Sequence, residues 1–154
     1  MFAETTTRVP RHTPEHLNER IREKTRMNLI RWGTSKENIE KRMKALNREW
    51  DMERVLEANA SSLVVIGTLL GAFLNPWFAL IPFLVGGFLL QHAVQGWCPP
   101  IRLFRRLGFR THAEIASEYY ALRILRGDYE STAQVLQNDP TSRAEAALGL
   151  ARWE

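Results

Sequence analysis

The sequence lacks charge over a long central stretch: none of the 44 residues from 58 to 101 is Asp, Glu, Lys or Arg. Charged residues are frequent elsewhere, so the overall composition, 45% hydrophobic and 25% charged, is like that of a soluble protein. The alternative to a membrane segment is a helical hairpin buried in a soluble protein, but buried helices of this length usually carry a few charges. The uncharged stretch therefore predicts a membrane-embedded segment.

Cysteine is nearly absent as well, because Cys98 is the only one. A single cysteine excludes an intramolecular disulfide and any Cys-x-x-Cys metal or redox motif. His12, His16 and His112 lie in polar contexts without the spacing of metal ligands, so the sequence predicts no metal site. No catalytic constellation stands out either, and we expect a protein that is not an enzyme and needs no cofactor.

Two apolar segments, residues 58–74 and 78–97, divide the uncharged stretch. As helices they extend over roughly 25 and 30 Å, close to the hydrocarbon thickness of about 30 Å. The link at residues 75–77, Asn-Pro-Trp, is so short that the two helices must be antiparallel. The predicted fold class is all-α: a two-helix antiparallel transmembrane hairpin flanked by cytoplasmic amphipathic helices.

The basic residues predict the orientation of this hairpin. Lys and Arg are absent from the link but number 13 before residue 58 and 8 after residue 101. Because basic flanks remain on the cytoplasmic side, both termini should be cytoplasmic. The basic excess is also compatible with nucleic-acid binding, but interleaved Glu residues disfavour that alternative. Membrane lipids, and not nucleic acid, are the expected partners.

The flanks are predicted to be helical. Region 1–57 contains helices at about 13–32 and 35–57. Region 98–127 contains a basic segment and an amphipathic helix that begins with a capping box at Thr111 and Glu114 and ends at about Arg126. Region 128–154 is a weakly helical tail with helices at 131–137 and from 142. Apolar stripes run along the second helix (Ile39, Met43, Leu46 and Trp50) and along the helix after residue 111 (Ile115, Tyr119 and Leu122). Such stripes pack against another helix, and the first could alternatively dock on lipid headgroups.

Several residues of the hairpin region are candidates for binding or packing. Gly67 and Gly71, with Gly86 and Gly87, predict close packing of the two membrane helices or a homodimer. Counting from the turn brings together the polar residues near one end of the hairpin, either as interhelical hydrogen bonds or as a ligand niche; they are Asn59, Ser61, Ser62, Gln91, His92 and Gln95. Four arginines after the second helix predict contact with anionic lipid headgroups; they are Arg102, Arg105, Arg106 and Arg110.

The run from Asn59 to about Gly108 resembles the YgaP-like transmembrane domain, a family of bacterial inner-membrane proteins. The resemblance rests on the Asn75-Pro76-Trp77 turn, on Gly86-Gly87, on Leu107-Gly108 and, most specifically, on Gly96-Trp97-Cys98-Pro99. It implies an inner-membrane location, dimerisation and an association with sulfur metabolism. The rhodanese domain often fused to that hairpin is absent here, so sulfurtransferase activity does not follow.

Two functional hypotheses follow. The first is a non-enzymatic, oligomerising membrane anchor or accessory subunit, whose apolar stripes engage a partner membrane protein or a second copy. The second is a thiol-dependent carrier or transporter of sulfur as a persulfide, using Cys98, with His92 and Gln91 lining a path. Counting from the turn places Arg54 near Cys98, where it would stabilise a thiolate.

Overall fold

The computed structural model describes residues 7–130 and 140–151, and these residues form helices without a strand. The helices are α1 (Arg8–Arg11), α2 (Glu15–Trp32), α3 (Lys36–Leu46), α4 (Met52–Phe73), a 3₁₀ helix (Pro76–Ala79), α5 (Leu80–Gln95), α6 (Ile101–Leu107), α7 (His112–Arg126) and α8 (Pro140–Ala151). The all-α prediction, with two long apolar helices and flanking helices, is confirmed. The expected helix at 131–137 lies outside the described residues, and α8 accounts for the other predicted tail helix.

The chain divides into two compact units, each assembled from two separate stretches. The hairpin unit consists of Met1–Glu23 and Trp50–Glu114, and the helical unit of Lys24–Glu49 and Ile115–Glu154. The sequence suggested regions that follow one another along the chain. Local sequence patterns do not reveal such a division, because each unit combines two stretches that are distant in sequence.

The predicted helix at 35–57 is wrong, since the structure has two helices there. Ser35 begins α3 by accepting a hydrogen bond from the Asn38 amide, and α3 ends at Leu46. The side chain of Asp51 then caps α4 by accepting from the Arg54 amide. An Asp at an N-cap stabilises a new helix start, and the apolar spacing across residues 46–50 concealed this break.

The hairpin reverses at Leu74 and Asn75, slightly earlier than predicted. Asn75 accepts a hydrogen bond from the Trp77 amide, and Pro76 begins the 3₁₀ helix, which already belongs to the second arm. This shifts the pairing of the arms: Gly67 faces Ile81 and Pro82, whereas counting from residue 76 predicted residue 85. α4 also begins at Met52, so it is 22 residues long and includes six residues, nearly two turns, before the predicted apolar start at residue 58.

Glycines set the closest approach of the two arms. A Cβ atom on Gly67 would lie 2.8 Å from Pro82 Cδ and 2.9 Å from Ile81 Cβ, and one on Gly71 would lie 3.2 Å from the Ala79 amide nitrogen. The predicted packing role is therefore realised by Gly67 and Gly71. Gly86 and Gly87 do not take part, because no atom lies within 4 Å of a Cβ added at either one.

The core of the helical unit is built from the two predicted apolar stripes. Ile39, Met43 and Leu46 of α3 pack with residues of α7, namely Ile115, Tyr119 and Leu122, and all six are buried. Trp50 does not belong to this face: it follows α3, is exposed and lies under the Arg54 guanidinium, 4.6 Å from the ring centroid. The stripes are thus each other's partner, and they no longer argue for an external one.

A buried carboxylate lies beside this core. Glu118 of α7 is fully buried. Its carboxylate accepts a hydrogen bond of 2.7 Å from Arg42 Nε and another of 3.3 Å from the Asn28 side-chain amide. A buried charge without such partners would cost several kcal/mol, roughly, in desolvation. This pairing attaches α2 and α3 to α7 within the helical unit.

Replacing Gly67 by Leu should destabilise the hairpin, because a side chain there collides with Ile81 and Pro82. Overpacking of this kind costs about 1–3 kcal/mol. The matched control is Gly86→Leu on the same hairpin, where open space should keep the effect below about 0.5 kcal/mol. Thermal unfolding of the detergent-solubilised protein, followed by circular dichroism, measures both; equal losses would contradict the packing described here.

Candidate functional site

The segment that follows α5 folds back onto the base of the hairpin. Gly96 ends α5 with a φ of 77°, a left-handed conformation that suits glycine, and Arg8 lies so close that a Cβ would meet its side chain at 2.5 Å. Pro99 and Pro100 then lead into α6. The result is a second buried cluster, formed by Val9, Met52, Leu56, Cys98 and Ile101.

The four arginines of the basic segment divide into two pairs with opposite environments. Arg105 and Arg110 are only 1% and 0% exposed, so the prediction that they contact lipid headgroups is wrong. Arg102 and Arg106 are exposed, which is compatible with that prediction. Residues four apart lie on one face of a helix, and Ile101 and Arg105 of α6 both point inward.

Arg105 is the centre of a buried hydrogen-bonded cluster within the hairpin unit. Its two terminal nitrogens donate to the Glu114 carboxylate at 2.7 and 2.8 Å, and also to Asn18 Oδ1 at 2.9 Å and to the Phe109 carbonyl at 3.2 Å. This two-pronged contact is the geometry that arginine makes best with a carboxylate. It connects α6 with α7 and with the first turns of α2.

Glu114 also caps α7, as predicted. Its carboxylate accepts from the Thr111 amide at 2.8 Å, and its own amide donates to Thr111 Oγ1 at 3.2 Å, which is a reciprocal capping box. Burial alone would raise the pKa of Glu114, but the hydrogen bonds from Arg105 and Thr111 lower it below its usual value of 4.5. The stability gained from this carboxylate is present at neutral pH and is lost as pH falls through the lowered pKa.

The outer face of α6 is amphipathic. Arg102 and Arg106 alternate along it with Leu103 and Leu107, which are 57% and 66% exposed. Exposed leucines beside exposed arginines are typical of a helix lying at a membrane surface, with apolar side chains in the acyl region and cations at the phosphates.

Cys98 lies in a site that does not activate a thiol. It is 3% exposed, and burial raises the pKa of the Cys98 thiol, an effect that a hydrogen bond from the Ile101 amide only partly offsets. Arg54, predicted to stabilise the thiolate, instead stacks on Trp50. Reactive cysteines have a lowered pKa and are accessible, and Cys98 has neither property.

The predicted polar niche does not assemble across the hairpin. Ser62 donates to the carbonyl of Ala58 one turn earlier, and Gln91 contacts Gln95 of its own helix at 3.5 Å. Asn59 and Ser61 are exposed. Within the part of the chain that the structure describes, none of the six predicted side chains makes a hydrogen bond between α4 and α5, because the shifted pairing of the arms separates them.

The N-terminal segment instead reaches the end of α5, which the sequence analysis did not anticipate. His12 contacts the Gln95 carbonyl with its Nε2 at 3.1 Å, and Val9 is buried in the second cluster. His92 is buried, and neither its Nδ1 nor the nearby Arg8 Nε has a hydrogen-bond partner in this structure. The one signal in the sequence was Val9, an apolar residue in a polar segment. The helix that contains it, α1, has four residues, which are too few to show a periodicity.

Within residues 7–130 and 140–151, no group of three or more His, Cys, Asp or Glu side chains is arranged to hold a metal ion.

Comparison with protein-family models, with curated proteins and with solved structures gives no significant match to this chain. The functional argument therefore rests on the site itself.

Arg105→Leu should destabilise the protein by about 3–5 kcal/mol, because it leaves the carboxylate of Glu114 partly buried without its cation. Arg106→Leu removes the same charge from the same helix at an exposed position and is the control, with an expected effect below about 0.5 kcal/mol. Thermal unfolding in detergent at pH 7 measures both. Comparable effects of the two variants would contradict the buried cluster.

The Cys98 thiol should react slowly. At pH 8 we expect alkylation by iodoacetamide at least roughly tenfold slower than that of a cysteine introduced at exposed Thr34 in a Cys98→Ser background, since both access and thiolate fraction are reduced. Mass spectrometry of timed samples gives the two rates. A Cys98 rate equal to or above that of the exposed cysteine would favour a reactive thiol.

Proposed function

We propose that this protein is a small, non-enzymatic integral membrane protein whose hairpin crosses the bilayer and anchors the helical unit at the cytoplasmic surface. The observation that carries the proposal is the exposure of the two long apolar helices. Only 17% and 6% of their most apolar windows are buried within the chain. Large apolar side chains such as Phe83 and Leu90 are 76% and 67% exposed.

A helix in the core of a soluble protein buries its apolar side chains, because their burial stabilises such a fold. Here the most apolar helices of the chain turn most of their surface outward. An apolar surface of this size in water would cause aggregation, whereas hydrocarbon covers it without cost. The lengths also match: 22 residues in Met52–Phe73 and 20 in Pro76–Gln95 correspond to roughly 33 and 30 Å.

The orientation follows from charge. The turn between the arms has no charged residue, while both outer ends of the hairpin lead directly into basic segments. Translocating the uncharged turn is the less costly choice, so both termini remain on the cytoplasmic side. A bacterial inner membrane is what the resemblance to the YgaP-like family implies, and that assignment stays a prediction.

A role as an accessory subunit, or as one copy in an oligomer, has one supporting feature in the helical unit. Exposed apolar residues gather at the C-terminal ends of α2 and α7, which adjoin where Leu125 approaches Gly33; they are Met27, Ile30, Ile124 and Leu125, each more than half exposed. Exposed apolar groups of this kind mark protein interaction surfaces.

The described residues give the sulfur-carrier alternative no supporting feature, because Cys98 is buried with a raised pKa and Arg54 stacks on Trp50. It stays a hypothesis that replacing Cys98 by Ser would test. Unchanged persulfide loading in that variant would remove it.

Topology labelling tests the proposal. In a Cys98→Ser background, a single cysteine at Trp77 in the turn should react with a membrane-impermeant maleimide in intact spheroplasts. A single cysteine at Thr34 should react only after lysis. Extraction at alkaline pH should leave both variants in the membrane pellet; release into the supernatant, or labelling of Thr34 before lysis, would contradict the proposal.

The interaction surface has its own test. Ile30→Glu combined with Leu125→Glu should abolish any oligomer or co-purifying membrane protein seen in mild detergent, because charge on both helix ends opposes apolar docking. Leu148→Glu, also at an exposed leucine, is the control and should leave the assembly intact. Native mass measurement that finds the double variant and the control equally assembled would remove this surface from the account.

A further inference from the structure

A groove lies beside the paired helices α4 and α5 of the hairpin unit. It has a volume of about 570 Å³, within the range of small-molecule sites. Three segments line it: α4, α5 and the Cys98–Leu103 stretch that folds back beneath them. Close contact at Gly67 and Gly71 occurs towards the turn, and the groove lies towards the opposite end of the hairpin.

The lining of the groove is apolar almost throughout. Leu56 and Leu63 contribute from α4, Val85 and Phe88 from α5, and Leu103 from α6, while Asn59 is the one amide among the lining residues. A flexible hydrocarbon chain fits such a lining, because the chain has no hydrogen-bonding groups to satisfy. Contact between the two apolar surfaces lowers the free energy by removing both from water.

The charge near the groove favours an anionic headgroup. Within the lining stretches 56–63 and 98–103, the exposed charged residues are Glu57 and Arg102. Two further exposed arginines, Arg54 and Arg106, lie two and three residues outside these stretches. Leu103 lines the groove from the same short helix that exposes Arg102 and Arg106. Apolar lining and exposed guanidinium groups therefore adjoin on α6, as the chain and phosphate of a phospholipid do.

We propose that this groove holds one acyl chain of an anionic phospholipid, whose phosphate is bound by Arg102 and Arg106. The proposal rests on the membrane insertion proposed above and adds a preferred lipid to it. Arg105 and Arg110 have no part in this contact, because both are buried in the protein. The site would hold α6 against the membrane surface through a bound lipid as well as through Leu103 and Leu107.

Native mass spectrometry of the detergent-solubilised protein, titrated separately with phosphatidylglycerol and with phosphatidylcholine, tests this site. The natural chain should retain phosphatidylglycerol in preference. Arg102→Gln with Arg106→Gln should weaken that retention by roughly tenfold, since two cations are removed from the phosphate. Lys24→Gln with Lys41→Gln, which removes the same charge from exposed positions in α2 and α3, is the control and should retain the preference.

The groove itself is tested by filling it. Leu63→Trp should reduce retention of both lipids, whereas Leu69→Trp, at an exposed position of α4 outside the groove lining, should not. Circular dichroism shows whether each variant keeps its helices. Equal retention of the two lipids by the natural chain would overturn the proposal, and so would unaltered lipid retention by the Leu63→Trp variant. If Leu63→Trp changed the oligomer mass and not the lipid retention, the groove would be assigned to a second copy of the chain, which would also overturn the proposal.

Failure of this proposal is distinguishable from failure of the proposed function. Each variant is also carried through extraction at alkaline pH. A protein that stays in the membrane pellet without lipid preference overturns only the lipid site. A protein that leaves the membrane overturns both.

Discussion

The rest of the structure depends on one constraint: 44 consecutive residues without charge have to be kept away from water. The chain meets it by folding these residues into a hairpin that presents its side chains outward and not into a core of its own. Residues just outside the stretch provide the polar structure of its base. Asp51, before the stretch, caps the first arm, and Arg105 and Glu114, after it, form the buried ion pair. Within the stretch, Gly96 ends the second arm before the basic segment follows.

The arginines after the hairpin illustrate how this boundary is organised. Buried and exposed guanidinium groups occur within nine residues of one another here, since Arg105 and Arg110 are buried and Arg102 and Arg106 are exposed. Arg105 donates four hydrogen bonds to Glu114, Asn18 and Phe109, and so joins α6 to the first turns of α2 and α7. Arg102 and Arg106, on the opposite face, remain exposed. The position of each arginine around the α6 helix therefore decides whether it is buried in the protein or exposed at the surface.

The sequence predicts features that depend on local or compositional signals. The apolar arms and the Thr111–Glu114 capping box are of this kind, because charge and neighbouring residues decide them. Long-range pairing was not predictable in the same way. The α3 and α7 stripes suggested an external partner, yet they pack on each other across about 70 residues of chain. Burial of Arg105 was equally hidden, since its partner Asn18 is 87 residues away.

The depth of a spin label in the second arm is the most direct test of the central claim that the hairpin lies within the bilayer. A nitroxide attached to a cysteine at Gly86, in a Cys98→Ser background reconstituted into lipid vesicles, should collide with oxygen far more often than with a water-soluble nickel chelate, because that position is near the middle of α5. A label at Thr34 should show the reverse. Equal access of the chelate to both labels would place the hairpin in water and contradict the account.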